Sequence, residues 1–270
     1  MNDEEVRRLY VDEGLTLAVV AERLGCSLTT AWRHLMASGV TCREAAPRHL
    51  RTTFGGSLAE QAYLVGLRIG DLHVAMEGSR TIVVKCTSTR AEQIDLFRLV
   101  FGPYGHVYTD EAGLSGRKRQ SIGMEVRLDM SFAFLLPKQD AVPDWILASD
   151  EMFFAFFGGY VDAEGYFHKY YLRKQPKPLA RLEIRSYDST LLTQLGEGLN
   201  ARGILCAPAR LRVRAGYTNK YGVRSNRDLW GLGVHRRDSL RALIARLDAY
   251  IRHARRRRDM LAVLEVAMLA

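Results

Sequence analysis

Two hydrophobic stretches of this chain end in acids, AYLVGLRIGD at residues 62–71 and FFGGYVDAEG at residues 156–165. Each reads as a helix with small residues four apart, Gly66 and Gly70 in the first, Gly159 and Ala163 in the second. That spacing puts the small residues on one helical face, where another backbone can come close, at a propensity cost of up to about 1 kcal/mol per glycine. Asp71 and Glu164 then stand at the C-terminal ends of their helices, where the helix dipole disfavours a carboxylate by roughly 0.3 to 1 kcal/mol. Helices paired through their glycines would make the two acids converge. Neighbouring carboxylates repel unless they are protonated or share a cation, and hard oxygen ligands suit Mg²⁺ or Mn²⁺. The chemistry this predicts is metal-assisted hydrolysis at a phosphate. Taken singly, either acid also reads as a helix-end carboxylate with no task. Asp162 is expected to serve the helix terminus or support the site rather than bind metal.

The elements around these acids come in two copies. After each helix the hydrophobic period changes to two: His73, Ala75, Glu77, Thr81, Val83 and Lys85 alternate with apolar residues, as do Lys169, Tyr171, Arg173, Arg181, Glu183 and Arg185. A helix follows each hairpin, at residues 90–104 and 189–202, and the two match at an offset of 98, with Ile94, Phe97 and Phe101 opposite Leu192, Leu195 and Leu199. Second hairpins are expected at 106–129 and 210–235, and a closing helix at 237–257. The fold class predicted is α+β: two αββαββα units, residues 57–148 and 149–270, related by a pseudo-twofold and forming a saddle-shaped antiparallel sheet. Its outer face is expected to be basic, carrying Lys85, Arg127, Lys169, Tyr171, Arg173, Arg181, Arg185, Arg212 and Arg214. A two-stranded ribbon with such residues fits the major groove of double-stranded DNA.

Residues 1–40 read as three short helices, the second ending at Gly25 and the third capped by Ser27. The segment AERLGCSLTTAWRHLMASGV is similar to the helix-turn-helix of resolvases and invertases. That resemblance points Leu28, Thr29, Thr30 and Arg33 at a major groove and gives Trp32 and Leu35 the task of holding the helix on its domain. Residues 41–56, with Pro47, Gly55 and Gly56 and no periodicity, read as a linker.

A net charge of +9 and a pI near 9.5 favour polyanionic partners. Cys26, Cys42, Cys86 and Cys206 are scattered without zinc-ligand spacing. No apolar stretch reaches 18 residues without a charge, and Asp3, Glu4 and Glu5 open the chain in place of a basic leader, so a cytoplasmic, nucleoid-associated protein without membrane contact is expected.

LVGLRIGDL and FGGYVDAEG resemble two copies of the LAGLIDADG motif, and the likeness extends through the repeat over roughly residues 57 to 260. The first copy departs from it, with Ile69 at the first acidic position and Leu72 at the final glycine, but keeps Asp71. The resemblance implies a homing-type, metal-dependent endonuclease that cuts both DNA strands, leaves short 3′ overhangs and acts as a monomer on a long, weakly palindromic target. It implies metal at Asp71 and Glu164, beside Gly70 and Ala163, and lysines near the metals, for which Lys118 and Lys220 are the candidates. The other function compatible with this architecture is DNA binding without cleavage, in a transcription regulator or an intron-splicing maturase.

Overall fold

A computed structural model of the chain describes residues 2–40, 50–111, 121–138, 140–173 and 177–269. The chain forms two compact units, Met1–His49 and Leu50–Ala270.

In the first unit, α1 (Asp3–Arg7) runs on into a π-helical turn (Arg8–Asp12), followed by α2 (Leu17–Arg23) and α3 (Leu28–Ala37). Thr16 and Ser27 cap α2 and α3 through their hydroxyls, and Gly25 adopts φ +61° in the turn between them. Val6, Leu9, Tyr10, Val20 and Leu35 form a small separate core. Leu35 holds α3 as expected, whereas Trp32 does not: it is 47% exposed, on the outward face with Leu28, Thr29 and Arg33. Thr30 turns back to hydrogen-bond Ser27 at 2.7 Å. The i, i+4 pitch explains both, since positions 31 and 35 already fill the inward face.

The second unit is built around α4 (Leu58–Gly70) and α7 (Asp150–Glu164), capped by Ser57 and Ser149. Every residue of α7 from Phe153 to Ala163 is buried, as befits a helix apolar on all sides. A Cβ on Gly66 would collide with the carbonyl oxygen of Phe156, and one on Gly159 with the carbonyl oxygen of Tyr63. The two collisions are mirror statements of one pseudo-twofold contact, so the glycines are required by backbone packing against backbone.

Each inner helix leads into an antiparallel four-stranded sheet. The first sheet has order β1-β2-β4-β3, from β1 (His73–Glu77), β2 (Thr81–Ser88), β3 (Val107–Glu111) and β4 (Ile122–Leu128). The second repeats it as β5-β6-β8-β7, from β5 (Gly165–Tyr170), β6 (Leu179–Ser186), β7 (Arg210–Val213) and β8 (Leu229–Val234). The expected saddle is thus two separate sheets of identical order. Behind them, α5 (Ala91–Phe101) and α8 (Ser189–Ala201) bury Ile94, Phe97 and Phe101 and Leu192, Leu195 and Leu199.

The copies diverge at their ends. The first closes with a 3₁₀ turn (Met130–Leu135), started by Asp129 and stopped by Pro137, and with the short α6 (Asp144–Leu147). The second closes with α9 (Arg237–Leu247) and α10 (Ala254–Met268) in place of one helix over 237–257. Residues 50–56, expected as linker, belong to the second unit: Thr52 donates to the Tyr104 carbonyl, and the Phe54 ring packs on Tyr104, Phe132 and Phe134 at centroid distances of 5.2 to 5.7 Å. An aromatic side chain outweighed the loop-like composition around it.

Replacing Gly66 with alanine is expected to cost about 3 kcal/mol, because a backbone atom stands where the methyl group would go. Gly78→Ala, at φ +62° with open space around it, is expected to cost about 1 kcal/mol. Denaturant unfolding checks both, and equal costs would refute the packing argument.

Candidate active site

The α4–α7 pairing brings the ends of both motifs together. A Cβ on Gly70 would strike the Ala163 methyl group and lie 3.2 Å from Cγ of Glu164. Asp71 is the residue that ends α4, its N–H still donating to the Leu67 carbonyl at 3.1 Å. Glu164 is the last residue of α7, and Gly165 passes directly into β5; a Cβ there would press into Val161. Helix packing and the helix-to-strand turn therefore position both acids.

Two clefts flank the pair. The one at Asp71, 180 Å³, is lined by Thr87, Ser88, Arg90, Gln93, Ala163 and Arg256. The one at Glu164, 400 Å³, is lined by Lys138, Arg185, Ser186, Asp188 and Arg227. Asp71 keeps solvent-facing surface in its cleft although protein surrounds it densely, and Gln93 donates to its Oδ2 at 3.3 Å. Burial pushes the Asp71 carboxyl up to about 6 against the pull of Arg256. Glu164 rises to about 7, first by burial and then by the charge on Asp71, with Arg256 and Lys138 opposing. The charge on Asp71 thus acts on Glu164, as the contact of Gly70 with Ala163 and with Cγ of Glu164 places it to do.

Asp162, fully buried, does what a supporting residue should. Its Oδ2 accepts from the Tyr63 hydroxyl at 2.7 Å and from the backbone N–H groups of Arg252 and His253 at 2.8 and 3.1 Å, while Oδ1 has no partner. Desolvation raises its pKa to about 6, and those hydrogen bonds hold it down. The grip fixes the start of α10, where the His253 imidazole accepts from the Arg256 N–H at 3.4 Å. That placement sends Arg256 to the carbonyl oxygen of Ala163, at 3.4 Å, with its Nε buried and unpaired. Arg68, also buried, bonds the carbonyls of Leu72 and Leu135 and so fixes the turn that follows Asp71.

Several expected residues stand elsewhere. Lys220 lies in the β7–β8 connection with its Nζ over the Tyr221 ring, 5.0 Å from the centroid, and lines neither cleft. Lys118 is outside the described residues. The cations that line the clefts are Arg90, Arg255 and Arg256 on one side and Lys138, Arg185 and Arg227 on the other. In the sequence the run Arg255 to Arg258 has the pattern of a solvated helix end, and the break at 248–253, which lets Arg256 line the Asp71 cleft, has no periodic signal.

The sheet faces also differ from expectation. In the second sheet Lys169 lies opposite Ala180, in the phase of the buried Gly165 and Phe167 although exposed near the end of the strand, while Tyr166, His168 and Tyr170 share the open face with Arg181, Glu183 and Arg185. Tyr171 and Arg173 follow the end of β5. A slip of one residue exchanges the faces of a strand, and three basic or polar residues at 169, 171 and 173 gave the wrong phase. The aromatics at 166, 168 and 170, stacked at 5.2 and 5.6 Å, were the signal for the right one. Arg181, Arg185 and Arg212 lie on the open face around the buried Glu183 at 2.9 to 3.3 Å, and Arg214 is exposed just beyond β7. In the first sheet Lys85 and Arg127 are on the open face as expected, but both are paired with acids there, at 2.6 to 2.9 Å.

Among the described residues no cluster of three or more His, Cys, Asp or Glu side chains forms a ready metal cage, and no helix is long and apolar enough to cross a membrane. Two carboxylates with nearby main-chain carbonyls nevertheless fit Mg²⁺, which often takes one or two protein carboxylates and completes its shell with phosphate oxygens and water.

No family model matches the chain, and neither does any curated protein. Solved structures do. The homing endonuclease I-WcaI bound to its DNA recognition sequence is 14% identical, with a TM-score of 0.47 over 79% of this chain and 88% of that one. I-DmoI in complex with DNA and Ca is 17% identical, with a TM-score of 0.45 over 70% and 89%. The LAGLIDADG homing endonuclease I-GzeII in complex with its DNA target is 11% identical, with a TM-score of 0.45 over 76% and 89%.

The raised pKa values fix a sign for stability. The protonated carboxyls are favoured in the fold, so their contribution is complete below the unfolded values near 4 and is lost as pH rises through about 6 to 7. Without divalent ions, Glu164→Gln is expected to stabilise the protein by roughly 1 to 3 kcal/mol at about pH 7.5 and by little at about pH 4.5, allowing for partial exposure. Thermal unfolding at both pH values checks this; a pH-independent difference would refute it.

Proposed function

We propose that the chain is a site-specific, metal-dependent endonuclease of the homing type that cuts both strands of DNA and leaves short 3′ overhangs. The observation that carries the reading is the convergence of Asp71 and Glu164, at matched ends of two glycine-packed helices, between two sheets with charged open faces. Asp71 and Glu164, with the main-chain carbonyls of Gly70 and Ala163, would hold Mg²⁺ or Mn²⁺. Bound there, such an ion supplies an activated water and neutralises charge on the leaving oxygen. Gln93 orients the Asp71 carboxylate, and Asp162 holds the segment that delivers Arg256. Arg256 in one cleft and Lys138 and Arg227 in the other face the phosphates, in the role the sequence had given Lys118 and Lys220.

The first unit adds a second reader, with Leu28, Thr29, Trp32 and Arg33 turned to a major groove, while Thr30 braces the cap. Duplication within one chain supports a monomer on a weakly palindromic target. One observation favours DNA binding without cleavage, as in a regulator or a maturase: Arg256 already lies on the Ala163 carbonyl and could serve as a standing counter-charge for the acids.

The test is incubation with DNA spanning the insertion point of the protein's own gene, with Mg²⁺ and with EDTA. Staggered, metal-dependent cutting is expected, reduced about 10²- to 10³-fold or more in both Asp71→Asn and Glu164→Gln. Undiminished cutting by either variant would overturn the site, and tight binding without cutting would establish the non-cleaving reading.

A further inference from the structure

The two sheets repeat one topology but carry unequal charge on their open faces. Residues directly opposite in neighbouring strands share a face. On the open face of the first sheet the strand pairing brings together Lys85 and Arg127 with Glu77, Glu125 and Asp110, two strand cations against three acids, and Arg51 joins the edge of that face by bonding Thr81 at 2.7 Å, so the charges there balance. Both strand cations are already spoken for: Lys85 pairs with Glu125 at 2.7 Å, and Arg127 with Glu125 at 2.6 Å and Glu77 at 2.9 Å.

The second sheet differs. At the offset of 98 that relates the copies, the place of Lys85 is taken by Glu183, which is 2% exposed. Arg181, Arg185 and Arg212 converge on that single carboxylate, and Arg210 lies across Gly231 from Arg185. Four guanidinium groups thus face one acid. Gly231 keeps the floor between them open, since a Cβ there would come within 2.6 Å of Arg212 Nε. One carboxylate balances one charge; the rest of the fan is held in place without being neutralised. Glu183 therefore acts as a buried anchor that orients three arginines outward as a group.

We infer that the protein holds DNA unequally: the second sheet supplies the phosphate-directed, salt-sensitive affinity, and the first sheet, neutralised by its own acids, contributes base reading with little net attraction. This rests on the DNA-binding reading above. In the first sheet Glu77 and Glu125 can accept from cytosine amino groups, and they repel phosphates that approach out of register. In the second, each arginine that meets a phosphate releases a counterion.

The test needs no knowledge of the target. Binding of a labelled duplex of arbitrary sequence, about 30 base pairs long, is measured without divalent ions between about 50 and 200 mM salt, where each phosphate contact adds about 0.9 to the slope of log affinity against log salt. Paired replacement Arg185→Gln with Arg210→Gln is expected to lower the slope by about 1.8, and Lys85→Gln with Arg127→Gln to change it by less than about 0.5. Glu77→Gln with Glu125→Gln frees the first sheet's cations and is expected to tighten binding and raise the slope by about 1 to 2, a gain that misfolding does not mimic. Equal losses from the two basic pairs, or no gain on releasing the acids, would overturn the unequal division. Failure of the unaltered protein to bind duplex DNA at any of these salts would instead overturn the DNA-binding reading itself.

Discussion

The contact between Gly66 and the backbone of Phe156, and its counterpart between Gly159 and the backbone of Tyr63, is the constraint on which the rest of the second unit depends. Helices with side chains between them keep 8 to 10 Å between axes, whereas glycine on both faces lets main chain meet main chain. Only at that approach do the ends of α4 and α7 come close enough for the charge on Asp71 to raise the pKa of Glu164. The same contact sets the two four-stranded sheets on either side of one pseudo-twofold.

A second layer of support runs through an acid that does no chemistry. Asp162, two residues before Glu164 and entirely out of water, directs its hydrogen bonds to Tyr63 of the partner helix and to the two N–H groups before α10. Burying a carboxylate costs several kcal/mol unless hydrogen bonds repay it, which is why three donors meet on one oxygen. The result is a chain of contacts from α4 through α7 to α10, ending with Arg256 at the Ala163 carbonyl. The Glu164 cleft, by contrast, takes Lys138 from the segment after the first copy's 3₁₀ turn. The two halves of the site share their acids' placement and differ in their cations.

Divergence of the open faces follows a similar logic. Sheet order and register are fixed by the buried face, where Val84, Val126, Leu182 and Ile184 pack beneath the strands, so the open face is free to change charge without disturbing the fold. Lys85 and Glu183 occupy the same place in the repeat with opposite sign: Lys85 pairs with Glu125, whereas Glu183 gathers Arg181, Arg185 and Arg212.

The sequence by itself determined the repeat, both inner helices with their glycine faces, the acids at their ends, and the apolar faces of α5 and α8, because hydrophobic period, small-residue spacing and helix caps are local and each copy restates the other. It also supplied the α+β class and the residues Lys85, Arg127, Arg181, Arg185 and Arg212 of the open faces. Only the tertiary structure decided the phase of β5, where Lys169 alternates as plausibly as His168 and the choice falls to which neighbours Phe167 and Leu182 bury. It likewise decided that Trp32 faces outward, that Phe54 ties residues 50–56 to the body, and that Arg256 rather than Lys220 lines the Asp71 cleft, on the Ala163 carbonyl. Each of these depends on contacts between residues far apart in the chain, on a helix broken to satisfy a buried carboxylate or a ring seated on a distant surface, and such contacts leave no period for a sequence to display.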